Sequence, residues 1–420
     1  MRDYSGAKAV DGLYLSAEHM SVFVIGGVNQ DIKAAPYEVF RPATSNPGTV
    51  WASPGGVGRN IAHTLALCGT DVTLCSLIGD DAAGDELMDK TRRAGVRVDH
   101  VLRMKGSRTG AYIAIQNHTG QMEAAVSDME IMDNLTPDVL RAREDAIGAA
   151  DCIVADTNIP VASLEWLIIF AAEHNVPLFL EPVSVEKAGR LKGLSLFGTW
   201  ITPNADEFPA FLDIPGTEWA AFLTGISDRL AAPGISTAGP SITGSSIPGP
   251  SADSPASVSP AYDGAVLPMD LSPLMRHVRS PLDHGPENDR QNSPTFVVTL
   301  GALGVLLASR GPGRADETLM GALKYCGSPP DKWYGWWFPP LPARILDVNG
   351  AGDAFAAGLV AALLHPSLRW NTARAVFFAQ AAAVLTLESE HTAAVDISLT
   401  AILRKLADLH VMENLKGDLI

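Results

Sequence analysis

An aspartate one turn into a helix, behind two glycines, has the form needed to move a phosphoryl group. Residues 347–358 of this 420-residue chain, Asp-Val-Asn-Gly-Ala-Gly-Asp-Ala-Phe-Ala-Ala-Gly, have it. Asp353 falls at the start of an apolar run, Ala354 to Leu364, that is rich in helix formers and free of interior proline. Gly350, Ala351 and Gly352 would present backbone N–H groups at the positive end of that helix, where charge on a moving phosphoryl group is best stabilised. A carboxylate beside such an anion hole can accept the proton of an attacking hydroxyl. The same residues also suit a plain strand-to-helix turn, with the acidic group placed by the helix dipole. Upstream, 343–348 (Ala-Arg-Ile-Leu-Asp-Val) reads as the buried strand that delivers the turn.

Other candidates cluster after strand ends. The run Ser21-Val-Phe-Val-Ile25 reads as a buried strand that stops at Gly26-Gly27-Val28-Asn29-Gln30-Asp31. In an open α/β sheet the ligand crevice lies at such carboxyl ends, so Asn29 and Asp31 would face it, although both are also ordinary turn residues. The pair Gly55-Gly56 lets a ligand approach the backbone, and Asn60, one turn into the next helix, can donate and accept to a sugar diol. Tyr112 could pack on a base or belong to the core. Lys187 could donate to a base or sugar or be a solvated surface lysine. Asn204-Ala-Asp-Glu207 opens a helix and has capping-box spacing.

The elements that must position these residues alternate. From Thr136-Pro137 onward, strands at 151–156, 177–182 and 199–203 are separated by helical segments such as 161–174, which predicts a doubly wound, mostly parallel sheet flanked by helices. The runs 109–116 and 121–126, around Asn-His-Thr-Gly at 117–120, predict a hairpin. With strands from 31–52 it would form a small β lid, about 31–52 and 107–127, that excludes water on closing. Phe296 to Ala308 reads as two strands around a glycine turn. The aromatics of Trp333-Tyr-Gly-Trp-Trp-Phe338 read as cover for the sheet edge rather than a stacking platform. The organisation expected is a leader (1–20), one α/β domain (21–230 and 294–412), a tail (413–420), and an insertion at 231–293. That insertion is rich in proline, serine and glycine and too poor in apolar residues to pack, with local order only near 269–276.

A formal net charge of −16 argues against nucleic acid or an anionic membrane as partner, so a phosphate-bearing ligand must be held by local donors and a metal. Four scattered cysteines show no metal-ligand spacing and suit a reducing compartment. The start has no secretory pattern and no apolar run is long enough to span a membrane, so a soluble, cytoplasmic protein is expected.

Asp347, Gly350, Ala351, Gly352 and Asp353 match the second signature of the ribokinase-like (phosphofructokinase B) family of sugar and nucleoside kinases, Asp-Thr-x-Gly-Ala-Gly-Asp; Val348 replaces the threonine. Gly55-Gly56 through Gly79-Asp80 and Gly84 resembles the first signature. The resemblance implies that Asp353 is the base, that Asp31 holds sugar hydroxyls, and that Asn204 and Glu207 organise Mg2+ through water. It also implies that Thr299, Gly301 and Gly304 border ATP, and it leaves room for a monovalent cation such as K+. Arg59-Asn60-Ile61-Ala62, Ser45-Asn-Pro-Gly48 and Glu181-Pro-Val-Ser-Val-Glu-Lys187 are most similar to the pseudouridine kinase branch. This implies phosphorylation of the 5′-hydroxyl of pseudouridine and a functional link to a pseudouridine-5′-phosphate glycosidase; the sequence leaves open whether the chain pairs as a homodimer. The alternatives are a kinase for another nucleoside or sugar, or a non-catalytic binding protein of the same fold.

Overall fold

The computed structural model describes residues 9–10, 13–14, 20–117, 122–230, 267–275, 293–310, 333–365, 371–389, 397–409 and 411. Of the leader only β1 (Ala9–Val10), its antiparallel partner β2 (Leu13–Tyr14) and Met20 are among them; the turn at 118–121, most of the insertion and the tail lie outside.

The main sheet has ten strands. Seven run parallel: β3 (Ser21–Ile25), β6 (Asp71–Gly79), β7 (Arg97–Met104), β10 (Cys152–Asp156), β11 (Leu178–Glu181), β12 (Thr199–Ile201) and β14 (Thr295–Thr299). Antiparallel strands β15 (Val305–Arg310), β16 (Trp333–Phe338) and β13 (Leu267–Asp270) extend one edge, giving the order β13-β16-β15-β14-β12-β11-β10-β3-β6-β7. Strands covered on both faces read as unbroken apolar runs, and Val22, Phe23, Val24 and Ile25 of β3 are all buried. Side chains alternate between two cores. Val22, Val24 and Val154 join α1 (Val57–Leu67) and the C-terminal helices, whereas Phe23, Ile25 and Ile153 face α3 (Val161–His174); α2 (Ala82–Arg93) bridges β6 and β7. Among the described residues no helix is long and apolar enough to cross a membrane.

The second sheet is the expected small one, with four strands: β5 (Gly48–Gly55), β4 (Asn29–Pro36), β8 (Gly110–Gln116) and β9 (Met122–Asp128), in that order. Its register places Asn29, Asp31, Lys33, Ser53 and Tyr112 on one face, and Ile32, Ala34, Val50, Ala52, Ile113 and Val126 on the other.

Three expectations change. Residues 343–348 form no strand: Ile345, Leu346 and Val348 are exposed, and the Leu346 and Asp347 amides donate to Leu387 O. Pro339, Pro340 and Pro342 lack the donors a ladder needs, so the chain leaves the sheet there. The strand lies just before them, since Trp333–Phe338, read as edge cover, is the fully buried β16. Within the supposed insertion, β13 pairs with β16, and Leu271, Leu274 and Met275 are buried. This portion therefore belongs to the packed domain.

Candidate active site

The site forms where β3 and β10 end. Asp156, the last residue of β10, is wholly buried, and its Oδ2 accepts from the backbone N–H groups of Gly27 (2.8 Å) and Gly58 (2.7 Å). Its Oδ1 accepts from Asn158 N–H at 2.9 Å. Burial raises the affinity of Asp156 for a proton, and the donors from Gly27 and Asn158 and the charge of Lys187 oppose the rise. The turn before β4 and the first turn of α1 are thereby tied to one carboxylate.

Asn60 crosses from α1 to the N-terminus of α5 (Ala351–Leu364), where its Nδ2 donates to Asp353 Oδ2 at 2.8 Å. Gly350 caps α5 with φ 76°, a left-handed conformation that favours glycine. The first-turn amides of α5 have no intrahelical acceptor, and a Cβ on Gly352 would meet nothing within 4 Å, so the space at this end is open. Burial lifts the Asp353 carboxyl to about 7; the Asn60 donor opposes the shift, while the charges of Asp156, Asp31 and Glu207 add to it.

Asp31 accepts from Asn29 Nδ2 at 2.6 Å. Burial raises its pKa, against the pull of Asn29, Lys33 and Arg59. The glycine pair is explained sterically: a Cβ on Gly55 would lie 2.2 Å from Asp31 Oδ1, and Gly56 has φ +96°. Lys33, on the same face of β4, places Nζ 2.9 Å from Asp347 Oδ2, and Asp347 Oδ1 accepts from both nitrogens of Asn349. The small sheet is thus fastened to the loop that opens α5. Tyr112 shares that face, half-buried, with its phenol pushed up by burial and by Asp31. Lys187 Nζ donates to Asn158 Oδ1, and that amide lines the Gly27 turn.

At the far side, Asn204 Oδ1 accepts from the N–H groups of Asp206 and Glu207, both at 2.9 Å, and Glu207 Oε2 accepts from Asn204 N–H. These are the reciprocal bonds expected of a capping box at α4 (Glu207–Leu212). Next to it Glu181 is buried and takes a bond from Thr202 Oγ1. Burial, then the charge of Glu207, hold Glu181 well above the usual carboxylate range, and burial raises Glu207 too. Among the described residues no three His, Cys, Asp or Glu could cage a metal. The donor set instead suits Mg2+, which keeps waters and takes one or two carboxylates together with phosphate oxygens. Thr299 sits beside Asn204 through its N–H to Pro203 O. Gly301 and Gly304, both at positive φ, shape the turn from β14 to β15.

Asn29, Asp31, Gly55, Gly56, Asn60 and Asp353 therefore converge; Asn204, Glu207 and Thr299 form a second group. The diol role of Asn60 is narrowed, because its amide already serves Asp353 and Arg59. Sequence reasoning missed Lys33, Arg59, Asp156, Asn158 and Glu181. Two signals were available: Lys33 follows Asp31 by two residues and so shares its face, and Asp156 and Glu181 end strands that feed the crevice.

A family model described as pfkB family carbohydrate kinase matches residues 20–232 and 282–398. The uncharacterized sugar kinase YeiI of Escherichia coli is 41% identical over 219 residues, and the pseudouridine kinase of the same organism 40% over 171 residues. These alignments take in 52% and 41% of this chain and only 58% and 54% of those proteins. The pseudouridine kinase of Arabidopsis thaliana is 25% identical over 367 residues, 82% of this chain and 85% of that one. Among solved structures, Arabidopsis thaliana ribokinase complexed with ribose and ATP superposes with a TM-score of 0.60 at 16% identity, covering 93% of this chain and 99% of that one. That likeness establishes a ribokinase-like fold.

Proposed function

We propose that this chain, which belongs to the pfkB family of carbohydrate kinases, transfers the γ-phosphoryl group of ATP to the 5′-hydroxyl of pseudouridine. The observation that carries the reading is Asp353: a carboxyl in the first turn of α5, lifted to about 7, beside open helix-terminal amides and facing the polar side of the small sheet. Asp31, Asn29 and the glycine-lined backbone at Gly55 and Gly56 hold ribose hydroxyls. Tyr112 and Lys187 flank the base, with Lys187 set by Asn158. Asp353 accepts the 5′-hydroxyl proton, and the amides of Gly350 to Asp353 stabilise the three equatorial oxygens of the moving group. Thr299, Gly301 and Gly304 border the nucleotide. Mg2+, held through water by Glu207 and Asn204, would neutralise charge on the phosphates. Because such a transition state is loose, the alignment of the hydroxyl by Asp353 contributes alongside proton removal.

The choice of pseudouridine is supported by two relatives that bear that name. A sugar acceptor is the second reading, favoured by the similarity to YeiI. ADP release with magnesium-ATP and a panel of pseudouridine, uridine, adenosine and ribose separates them. Turnover confined to pseudouridine supports the first reading; ribose alone replaces it; silence from a cooperatively melting protein removes both.

A further inference from the structure

Arg59 is a buried guanidinium, 3% exposed; the charges of Asp31 and Asp353 act on it, but among the described residues no carboxylate is hydrogen-bonded to it. Each of its nitrogens has a different neutral partner. Nε reaches Thr91 Oγ1 of α2 (3.4 Å), Nη1 donates to Asn60 Oδ1 (3.2 Å), and Nη2 lies 2.7 Å from His63 Nδ1. A guanidinium only donates, so His63 Nδ1 must be an unprotonated acceptor. Burial, with the Arg59 charge added, lowers His63 to about 4, which keeps the ring neutral at working pH; burial lowers Arg59 to about 10, which leaves it charged.

An asparagine amide fits its site in two orientations of nearly the same shape. At Asn60 they have opposite consequences, because one puts NH2 against Asp353 and the other puts a carbonyl oxygen against a carboxylate. We propose that Arg59 is a positioning residue for phosphoryl transfer: by occupying Asn60 Oδ1 from a fork locked on Thr91 and His63, it holds the Asn60 NH2 on Asp353. This rests on Asp353 being the proton acceptor. The charged groups around Asp353 are Arg59 from α1, Asp31 from β4, Asp156 from β10, Glu181 from β11 and Glu207 from α4. Four of these five are acidic, so a turned amide would leave the carboxylate with no neutral donor and a stronger hold on its proton.

Arg59→Lys tests this, since it keeps the charge and discards the fork. The readouts are the titration of Asp353 by carbon NMR of aspartate-labelled protein, assigned with Asp353→Asn, and the pH profile of kcat with magnesium-ATP and pseudouridine. The expected result is an Asp353 titration about one unit higher, with the acidic limb of kcat moving alongside it and KM for ATP unchanged. In an Asn60→Ala background the Arg59→Lys change should shift nothing further. Arg59→Met, which lacks donor and charge, should shift at least as far as Arg59→Lys wherever its melt is cooperative. A wild-type titration in Arg59→Lys would show that charge alone matters and would overturn the proposal. An undiminished shift in the Asn60→Ala background would overturn it too. The NMR arm needs no turnover, so a wrong acceptor substrate leaves it decisive.

Discussion

Every residue of β10, at the centre of the main sheet, is buried, while every residue of β9, at the rim of the small sheet, is exposed. The main sheet is held by packing over both faces. The small one is held by point attachments: Lys33 on Asp347, and at its root Thr109, whose N–H and hydroxyl both donate to Asp81. Dense packing thus lies under the proposed phosphoryl chemistry, and sparse attachment under the proposed acceptor site.

The contrast can be broken most deeply at Asp353. In Asp353→Asn, kcat should fall about 10²- to 10⁴-fold in the ADP-release assay with nucleoside affinity largely kept, because the proposed proton acceptor goes while the proposed ribose contacts stay. The same variant should melt higher than the wild type at alkaline pH. Asp353 rises from 3.8 to about 7 in the fold, so its stabilising contribution is complete below the unfolded value and is lost as pH climbs through about 7. A permanently neutral amide escapes that loss, and the gap between the two melting curves should close in acid. Phe296→Ala, beneath the Phe208, Phe211 and Trp333 rings, should cost about 3–5 kcal/mol in denaturant unfolding. Lys33→Ala should raise KM for the acceptor about tenfold with little change in melting, since it frees the small sheet and strands Asp347. Val126→Ser, on the exposed face, should stay within about 0.5 kcal/mol. A large stability loss in either of these last two variants would mean that the small sheet is part of the cooperative core.

Much of this was legible in the sequence for a physical reason: buried parallel strands announce themselves as apolar runs, and glycines mark places where a Cβ cannot fit. Gly55 and Gly56 were readable as a close approach, although what approaches in this structure is the Asp31 carboxylate at Gly55 and the Gly27 backbone at Gly56. The helix start at Gly350 was readable, but not the chain before it. Ile345, Leu346 and Val348 have strand-like residue types, and the prolines at 339, 340 and 342 overrule them. Nor could composition show that Leu267–Asp270, amid proline and serine, would find an edge to pair with, because pairing is settled by a partner distant in sequence. Deleting all of 231–293 would remove β13, so a cut confined to 231–266 is the one expected to leave the melt unchanged. Lys33 and Asp156 carried only the weak signals of a shared face and a strand end, because the partners that fix them lie 314 and 129 residues away; Arg59 has local partners in Asn60 and His63, but its third, Thr91, lies 32 residues off.

Asp156 Oδ2, which holds the amides of both Gly27 and Gly58, acts in mechanical terms as a bearing pin. The helix that carries Arg59 and Asn60 and the strand end that feeds the small sheet are mounted on the same pin, so neither can swing without the other up to Gly27. Any stroke of the small sheet must begin beyond that point, at Val28, and β4 then moves as a single lever. Asp31 and Lys33 sit two residues apart on one side of that lever, so in such a stroke the proposed grip on the acceptor and the latch on Asp347 would engage together.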